Sequence, residues 1–309
     1  MKGKVRDKDG WVTEYQDTMN IYNVAPIAAF NAPDSAVEGG NFTVSMSTPY
    51  DPSSADTAAG FTYAYDCNND GQYNDTDSNG ASASCRAGSP GTQTVKAKIF
   101  DKDGGTSTYS KDVTIVADDV APSGTISING GAAYTRSASV NLTLNASDPS
   151  PSSGIFGMQF SNDGINWSAV QGYNTTKSWT LVSGDGTKTV RVRYIDWAGN
   201  VSTFQDAIRL DTTRPTVTGM SPRPTSTITD TSPTIKATVK DNLTNLAKAN
   251  IKLYVNDSLI SATKYSYSAS TDLLVYNSPV LAKGKKTVKV VATDAAGNVG
   301  AKSWYFTIK

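Results

Sequence analysis

The sequence has no histidine. That removes the commonest general base, the commonest zinc ligand and the usual physiological pH switch. Cysteine is nearly absent too. Cys67 and Cys85 are the only two, and they form neither a C-x-x-C pair nor part of a Cys/His metal cluster. Neither sign of charge is in excess: 28 Lys and Arg stand against 28 Asp and Glu. No bulk field therefore draws the chain to nucleic acid or to an anionic membrane, and no basic stripe suggests nucleic-acid binding. No apolar run reaches the roughly 18 residues of a membrane span. Met1-Lys2-Gly3 leads straight into repeat material with no signal peptide, so the chain is expected to be a piece of a longer exported protein. Asp pairs exist, but glycosidase-type chemistry needs two carboxylates flanking a cleft, and nothing predicts one. The chain is expected not to be an enzyme, with no catalytic residues.

What is present is a stretch written four times. The clearest copy runs from Thr189 to Val201 and contains Asp196-Trp197-Ala198-Gly199-Asn200. A second runs from Thr287 to Val299 with Asp294-Ala295-Ala296-Gly297-Asn298, and a third from Thr94 with Asp101-Lys102-Asp103-Gly104. The fourth opens the chain with Lys2-Gly3-Lys4-Val5-Arg6-Asp7-Lys8-Asp9-Gly10. Each reads as a strand, an Asp-initiated turn and a second strand. The first Asp falls at 7, 101, 196 and 294, intervals of 94, 95 and 98 residues. That period is too long for a solenoid and suits one β-sandwich of about 100 residues, large enough to bury its own core. Abundant Ser, Thr, Asn, Asp, Gly and Val, with only 18% charged residues, suit short strands and many turns.

Four segments follow: a partial module at 1–24, and modules at 25–118, 119–210 and 211–309. Alternation in Phe42-Thr43-Val44-Ser45-Met46 and in Val140-Asn141-Leu142-Thr143-Leu144 predicts half-buried strands. Val190, Val192 and Tyr194 share one face opposite Arg191 and Arg193. Ile251–Val255 and 288–291 read as core strands, and Pro222, Pro224 and Pro233 place the start of the third module at a sheet edge. Residues 1–24 match the last hairpin of a module without the strands before it. A lone hairpin is marginal in water. It is either a truncation remnant or a donated hairpin through which chains self-associate.

The loop Asp66-Cys67-Asn68-Asn69-Asp70-Gly71-Gln72-Tyr73-Asn74-Asp75-Thr76-Asp77 places oxygen side chains at its first, third and fifth positions, Gly at the sixth and a carboxylate at the twelfth. That fits a calcium loop with Asp in place of the final Glu, giving Asp66, Asn68, Asp70, Gln72 and Asp77 as candidate ligands. An Asn/Asp/Gly loop chosen for turn propensity is the alternative. Cys67 and Cys85 flank it. A disulfide between them would restrict the unfolded chain by about 3 kcal/mol and point to an oxidising compartment; two unpaired thiols are the other reading.

Val24-Ala25-Pro26, Tyr65-Asp66 with Asp70-Gly71, and the run from Val95 to Gly104 resemble a PKD-type domain over residues 1–118. Asp211-Thr212-Thr213-Arg214-Pro215 and the two Asp-x-Ala-Gly-Asn turns resemble bacterial immunoglobulin-like repeats of large surface and adhesin proteins over 120–309. These resemblances imply an all-β fold of tandem immunoglobulin-like β-sandwiches in an extended array, with an N-terminal partial module.

Each module also carries an Asp at the end of its second strand: Asp51, Asp148 and Asp241. In such a sandwich the loop after the second strand and the turn before the last strand meet where the chain enters. Asp148 and Asp196 should then lie near Asp118 and Asp119, and Asp241 and Asp294 near Asp211; Asp51, Asp101 and Asp103 form the matching set in the first module. Converging carboxylates repel unless a cation joins them, so calcium is the expected cofactor; Asp side chains bonding their own turn amides are the alternative. The leading functional expectation is an extracellular or cell-surface spacer and adhesion region meeting a protein or glycan, with no nucleic acid and no membrane insertion. The alternatives are an accessory carbohydrate-binding region stacking sugars on Trp11, Trp167 or Trp197, and a strand-donating filament subunit.

Overall fold

The computed structural model describes residues 1–74, 80–244 and 246–309. Among the described residues the chain is built from strands, relieved by one helical turn, Ser54–Ala59, and a 3-10 turn, Lys248–Asn250. It forms three immunoglobulin-like sandwiches preceded by a two-stranded hairpin. The chain divides into two compact units, one of Met1–Ala121 with Asp148–Ile155 and Asp196–Asn200, the other of Pro122–Ser147, Phe156–Ile195 and Val201–Lys309.

In the first unit, one sheet of the sandwich orders Ile27–Asn31, Asn41–Tyr50 and Ser82–Arg86. The other orders Ser35–Val37, Thr106–Val116, Gly91–Phe100 and Thr62–Asp66. Alternation does the sorting, since successive side chains of a strand point to opposite faces. Phe42, Val44 and Met46 are buried from one sheet, and Val95, Ala97 and Ile99 from the other. Tyr65 is enclosed, and its hydroxyl donates to the Gly80 carbonyl at 3.2 Å.

The hairpin pairs Lys2–Arg6 with Val12–Gln16, and every residue from 1 to 24 is exposed. Its turn matches the later ones: Asp7 Oδ1 accepts from Asp9 and Trp11 amides, with Gly10 at φ +92°. Ninety-four residues on from Met1, Val5, Met19 and Ile21 stand Val95, Ile99, Val113 and Ile115. The second set is buried and the first is open to solvent.

The second unit holds two sandwiches, apart from the segments Asp148–Ile155 and Asp196–Asn200 that group with the first. One pairs a sheet of Ser123–Ile128, Ser139–Ser147 and Thr176–Thr180 with a sheet of Tyr134–Thr135, Val201–Leu210, Gly186–Asp196 and Ile155–Ser161. Its core includes Leu142, Leu144, Phe160, Val190, Val192 and Tyr194. Tyr194 is fully enclosed and donates its hydroxyl to the Thr125 carbonyl at 2.7 Å; burial raises its pKa well above the ordinary tyrosine value. Tyr194→Phe removes this buried hydrogen bond. It is expected to lower unfolding free energy by about 1–2 kcal/mol, read as a shifted urea midpoint with unchanged slope.

The last sandwich orders Thr216–Ser221, Thr234–Lys240, Leu273–Asn277 and Ser266–Ser268 in one sheet. Thr227–Ile228, Val299–Ile308, Gly284–Thr293, Ile251–Val255 and Ser258–Ile260 form the other. Thr216–Ser221 is an edge strand and Pro222 follows it, where no ladder amide is needed. Gly300 lies so close to the incoming chain that a Cβ built on it would stand 1.9 Å from the Pro215 carbonyl oxygen. All three sandwiches share one further feature: a short strand, at 35–37, 134–135 or 227–228, pairs parallel with the last long strand.

Candidate functional site

The site is built three times, and it starts from the turn between the last two long strands. Asp196 sits at the end of Gly186–Asp196 and is buried. Its Oδ1 accepts from the Asn200 amide at 2.8 Å and its Oδ2 from Asn200 Nδ2 at 2.9 Å. The same Nδ2 donates to the Asp118 carbonyl at 2.7 Å. Asp294 repeats this with Asn298, whose Nδ2 reaches the Asp211 carbonyl at 2.8 Å. The turn thus fixes its own Asp and holds the incoming linker in one network. Gly199 and Gly297 occupy positive φ, +97° and +90°, as the chain reversal requires.

Two further carboxylates complete each cluster. Asp118, Asp148 and Asp196 each bring a carboxylate oxygen to within 4.8 Å of the others, and so do Asp211, Asp241 and Asp294. Asp118 Oδ2 accepts from the Ser153 amide at 2.8 Å, and Asp148 Oδ2 from the Gly154 amide at 2.7 Å. Asp241 Oδ2 accepts from the Leu243 and Thr244 amides, and Asp211 Oδ1 from the Thr213 amide at 3.1 Å. The alternative of Asp residues bonding turn amides therefore describes part of each carboxylate. It does not describe all of it: Asp148 Oδ1, Asp211 Oδ2 and Asp241 Oδ1 are sealed from solvent and have no donor among the described residues. Asp211 is wholly buried. Burial raises its pKa, opposed by the Thr213 amide and reinforced by Asp241, Asp294 and Asp185. Among the described residues no Lys or Arg pairs with any of these six carboxylates. Buried anions without a counter-ion are costly, and a hard divalent cation is what such an oxygen set can hold.

The cluster of the first sandwich is assembled differently. Asp51, Asp56 and Asp101 converge within the same 4.8 Å limit and all are buried. Asp56 comes from the helical turn Ser54–Ala59, whose N-cap Ser53 Oγ accepts from the Asp56 amide at 3.3 Å. Lys102 Nζ stands 2.8 Å from Asp56 Oδ1 in an ion contact without hydrogen-bond alignment, and also pairs with Asp103. That ammonium holds the Asp56 carboxyl below its usual range. Asp51 Oδ1 accepts from the Ser53 amide at 2.7 Å, while its Oδ2 is sealed and has no donor. Gly105 takes the place of Asn200 and Asn298, and the missing amide comes from the linker: Asn23 Nδ2 donates to both Asp101 oxygens, at 3.2 and 2.9 Å. A Cβ on Gly105 would lie 2.7 Å from that Nδ2 and 2.3 Å from Asp101 Oδ2.

Of the residues expected at these clusters, Asp119 is exposed and outside them, as is Asp103, which faces Lys102. Asp56, Lys102 and Asn23 were not expected. The spacing Ser53-x-x-Asp56 is a helix-start signature that could have flagged the helical turn, though not that Asp56 points back inward.

In the 66–77 loop, Asp66 is buried and accepts from the Asp70 and Gly71 amides at 3.2 and 3.1 Å. Asn68 Oδ1 accepts from the Asp70 amide, and Asp70 Oδ1 from the Gln72 amide at 2.7 Å. Asp77 lies outside the described residues. Cys67 and Cys85 form a disulfide with Cα atoms 5.5 Å apart. It joins the end of Thr62–Asp66 in one sheet to Ser82–Arg86 in the other. Of the tryptophans singled out for sugar stacking, Trp167 carries the Arg193 guanidinium 3.9 Å from its ring centre, and Trp197 carries that of Arg86 at 3.7 Å. Trp11 is 79% exposed.

No family model matches the sequence, and no curated protein does. Solved structures with a similar chain course include the three N-terminal domains of the bacteriophage RB49 highly immunogenic outer capsid protein. The match has 12% identity, 92% of this chain, 99% of that one and a TM-score of 0.37. A tetra-tandem repeat from the extending region of a large adhesion protein matches at 16% identity over 100% of this chain and 80% of that one, TM-score 0.31. The PKD1 domain of Vibrio anguillarum Epp matches at 14% identity over 31% of this chain and 100% of that one, TM-score 0.24. Among the described residues no helix is long and apolar enough to cross a membrane.

Proposed function

We propose that the chain is an extracellular spacer and adhesion region of a larger secreted or surface protein, in which calcium ties the incoming linkers at Asp118 and Asp211 to the sandwiches they enter. One observation carries this: carboxylate oxygens of Asp148, Asp211 and Asp241 are enclosed beside two further carboxylates, with no donor and no cationic partner among the described residues. Calcium suits the set better than magnesium because it accepts six to eight oxygens in irregular geometry. The 66–77 loop is the other calcium site in this reading. Its partner would be a protein or glycan on a surface.

Calorimetry of the full chain in chelator, calcium and magnesium tests the proposal. Calcium at about 100 times its Kd should add about 2.7 kcal/mol per site. Asp241→Asn removes one repelling charge, so it is expected to raise stability in chelator and to lose the calcium gain of its cluster. No thermal shift at millimolar calcium would overturn the calcium reading for clusters and loop alike. Asp70→Ala reports on the loop by itself, because Asp70 belongs to none of the three clusters.

A specific observation favours a second reading, the strand-donating one. The exposed Met1, Val5, Met19 and Ile21 stand at the register of buried core positions, so the hairpin offers a core face for another sheet to cover. Light scattering decides it: concentration-dependent oligomers lost on deleting residues 1–20 support donation, and a monomer at all concentrations rejects it.

A further inference from the structure

The three clusters each bring three carboxylates together, and besides their assembly they differ in the residue that follows the turn Asp. The residue after the turn Asp is Lys102 in the first sandwich, Trp197 in the second and Ala295 in the third. Only Lys102 can supply a positive charge, and its Nζ stands 2.8 Å from Asp56 Oδ1. Its side chain remains 41% exposed on the way in, with Asp103 as its other partner. The first cluster is nonetheless incomplete, because Asp51, 3% exposed, keeps an Oδ2 with no donor.

Resting on the calcium reading above, we propose that Lys102 is a tethered counter-ion that competes with calcium for the cluster of Asp51, Asp56 and Asp101. The tether makes this cluster the last of the three to fill. An ammonium within contact distance repels a divalent ion entering the same oxygen set, and the repulsion is strong where solvent is excluded. It also gives the first sandwich a partial neutralisation that needs no ion. In the other two clusters the same job falls to an external cation. The three sandwiches therefore differ in how much of their stability follows calcium concentration. The first keeps a share of its own in calcium-poor surroundings, and the second and third do not.

Isothermal titration of the full chain with calcium chloride, paired with melting in chelator, tests this. Lys102→Met keeps the aliphatic stem and removes the charge. It is expected to tighten one site by about tenfold or more and leave the others unchanged. It should also lower the melting temperature of the first sandwich in chelator, with added calcium restoring it. A purely structural lysine would show the loss without the calcium rescue. The reciprocal variant Ala295→Lys is expected to weaken calcium at Asp211, Asp241 and Asp294 while raising stability in chelator, and it reports even if Lys102→Met fails to fold. Calcium binding by the wild type with isotherms unchanged in both variants overturns the tether and leaves the calcium reading standing. No binding by the wild type with one site gained in Lys102→Met does the reverse. No binding by either overturns both.

Discussion

Gly300→Ala is expected to cost the last sandwich about 3 kcal/mol, at the upper end for overpacking, and to abolish calcium binding by the Asp211 cluster. The new Cβ would lie 1.9 Å from the Pro215 carbonyl oxygen and 2.8 Å from its carbon. Those atoms are backbone, so no rotamer change relieves the contact, and either Thr216–Ser221 or Val299–Ile308 must shift. Pro215 is four residues beyond Asp211 and Gly300 two beyond Asn298, which grips the Asp211 carbonyl. Displacing this stretch pulls the linker carboxylate away from Asp241 and Asp294. Urea titration gives the stability loss, and calorimetry with calcium gives the lost response. A wild-type midpoint would show that the close approach is relieved elsewhere.

Removing the disulfide is the other large effect. Cys67→Ala with Cys85→Ala opens a loop closed across 18 residues, and on the chain-entropy account the loss is about 3 kcal/mol. Both cysteines are buried and belong to the core of the first sandwich, so the alanines also leave small voids that add to the loss. A domain of this size should melt about 10–20 °C lower. The sandwiches of the second unit should be unchanged, which two calorimetric transitions would show. Reduction with a thiol reagent should reproduce the shift without mutation.

Much of this architecture can be read before any coordinates. The alternation at 42–46, 140–144 and 190–194 names residues that prove buried, because a strand has only two faces and one must be apolar. The repeated Asp-x-x-Gly turns locate Asp101, Asp196 and Asp294, and the sandwich plan brings Asp148 and Asp241 to two of them. The rest depends on atoms the pattern cannot place. Asp56 enters on a short helical turn that the Ser53-x-x-Asp56 spacing could announce, but its inward aim depends on tertiary packing, which has no periodic signature. Lys102 looks like an exposed turn residue until the fold lays Asp56 beneath it. Asp119 and Asp118 cannot be told apart from sequence. They are neighbours, and chain direction alone decides that Asp118 turns inward.

The amide that clasps the turn Asp also limits how these units can be recombined. In the second and third it belongs to the turn, as Asn200 and Asn298; in the first it belongs to the linker, as Asn23, with Gly105 vacating the space. A chimera that grafts the Asn298 turn onto the segment containing Asn23 brings two carboxamides to one carboxylate. The opposite graft brings none. Shuffling designs must therefore move each connector together with the hairpin it feeds, and a cut placed between them yields mismatched halves even though every strand is intact.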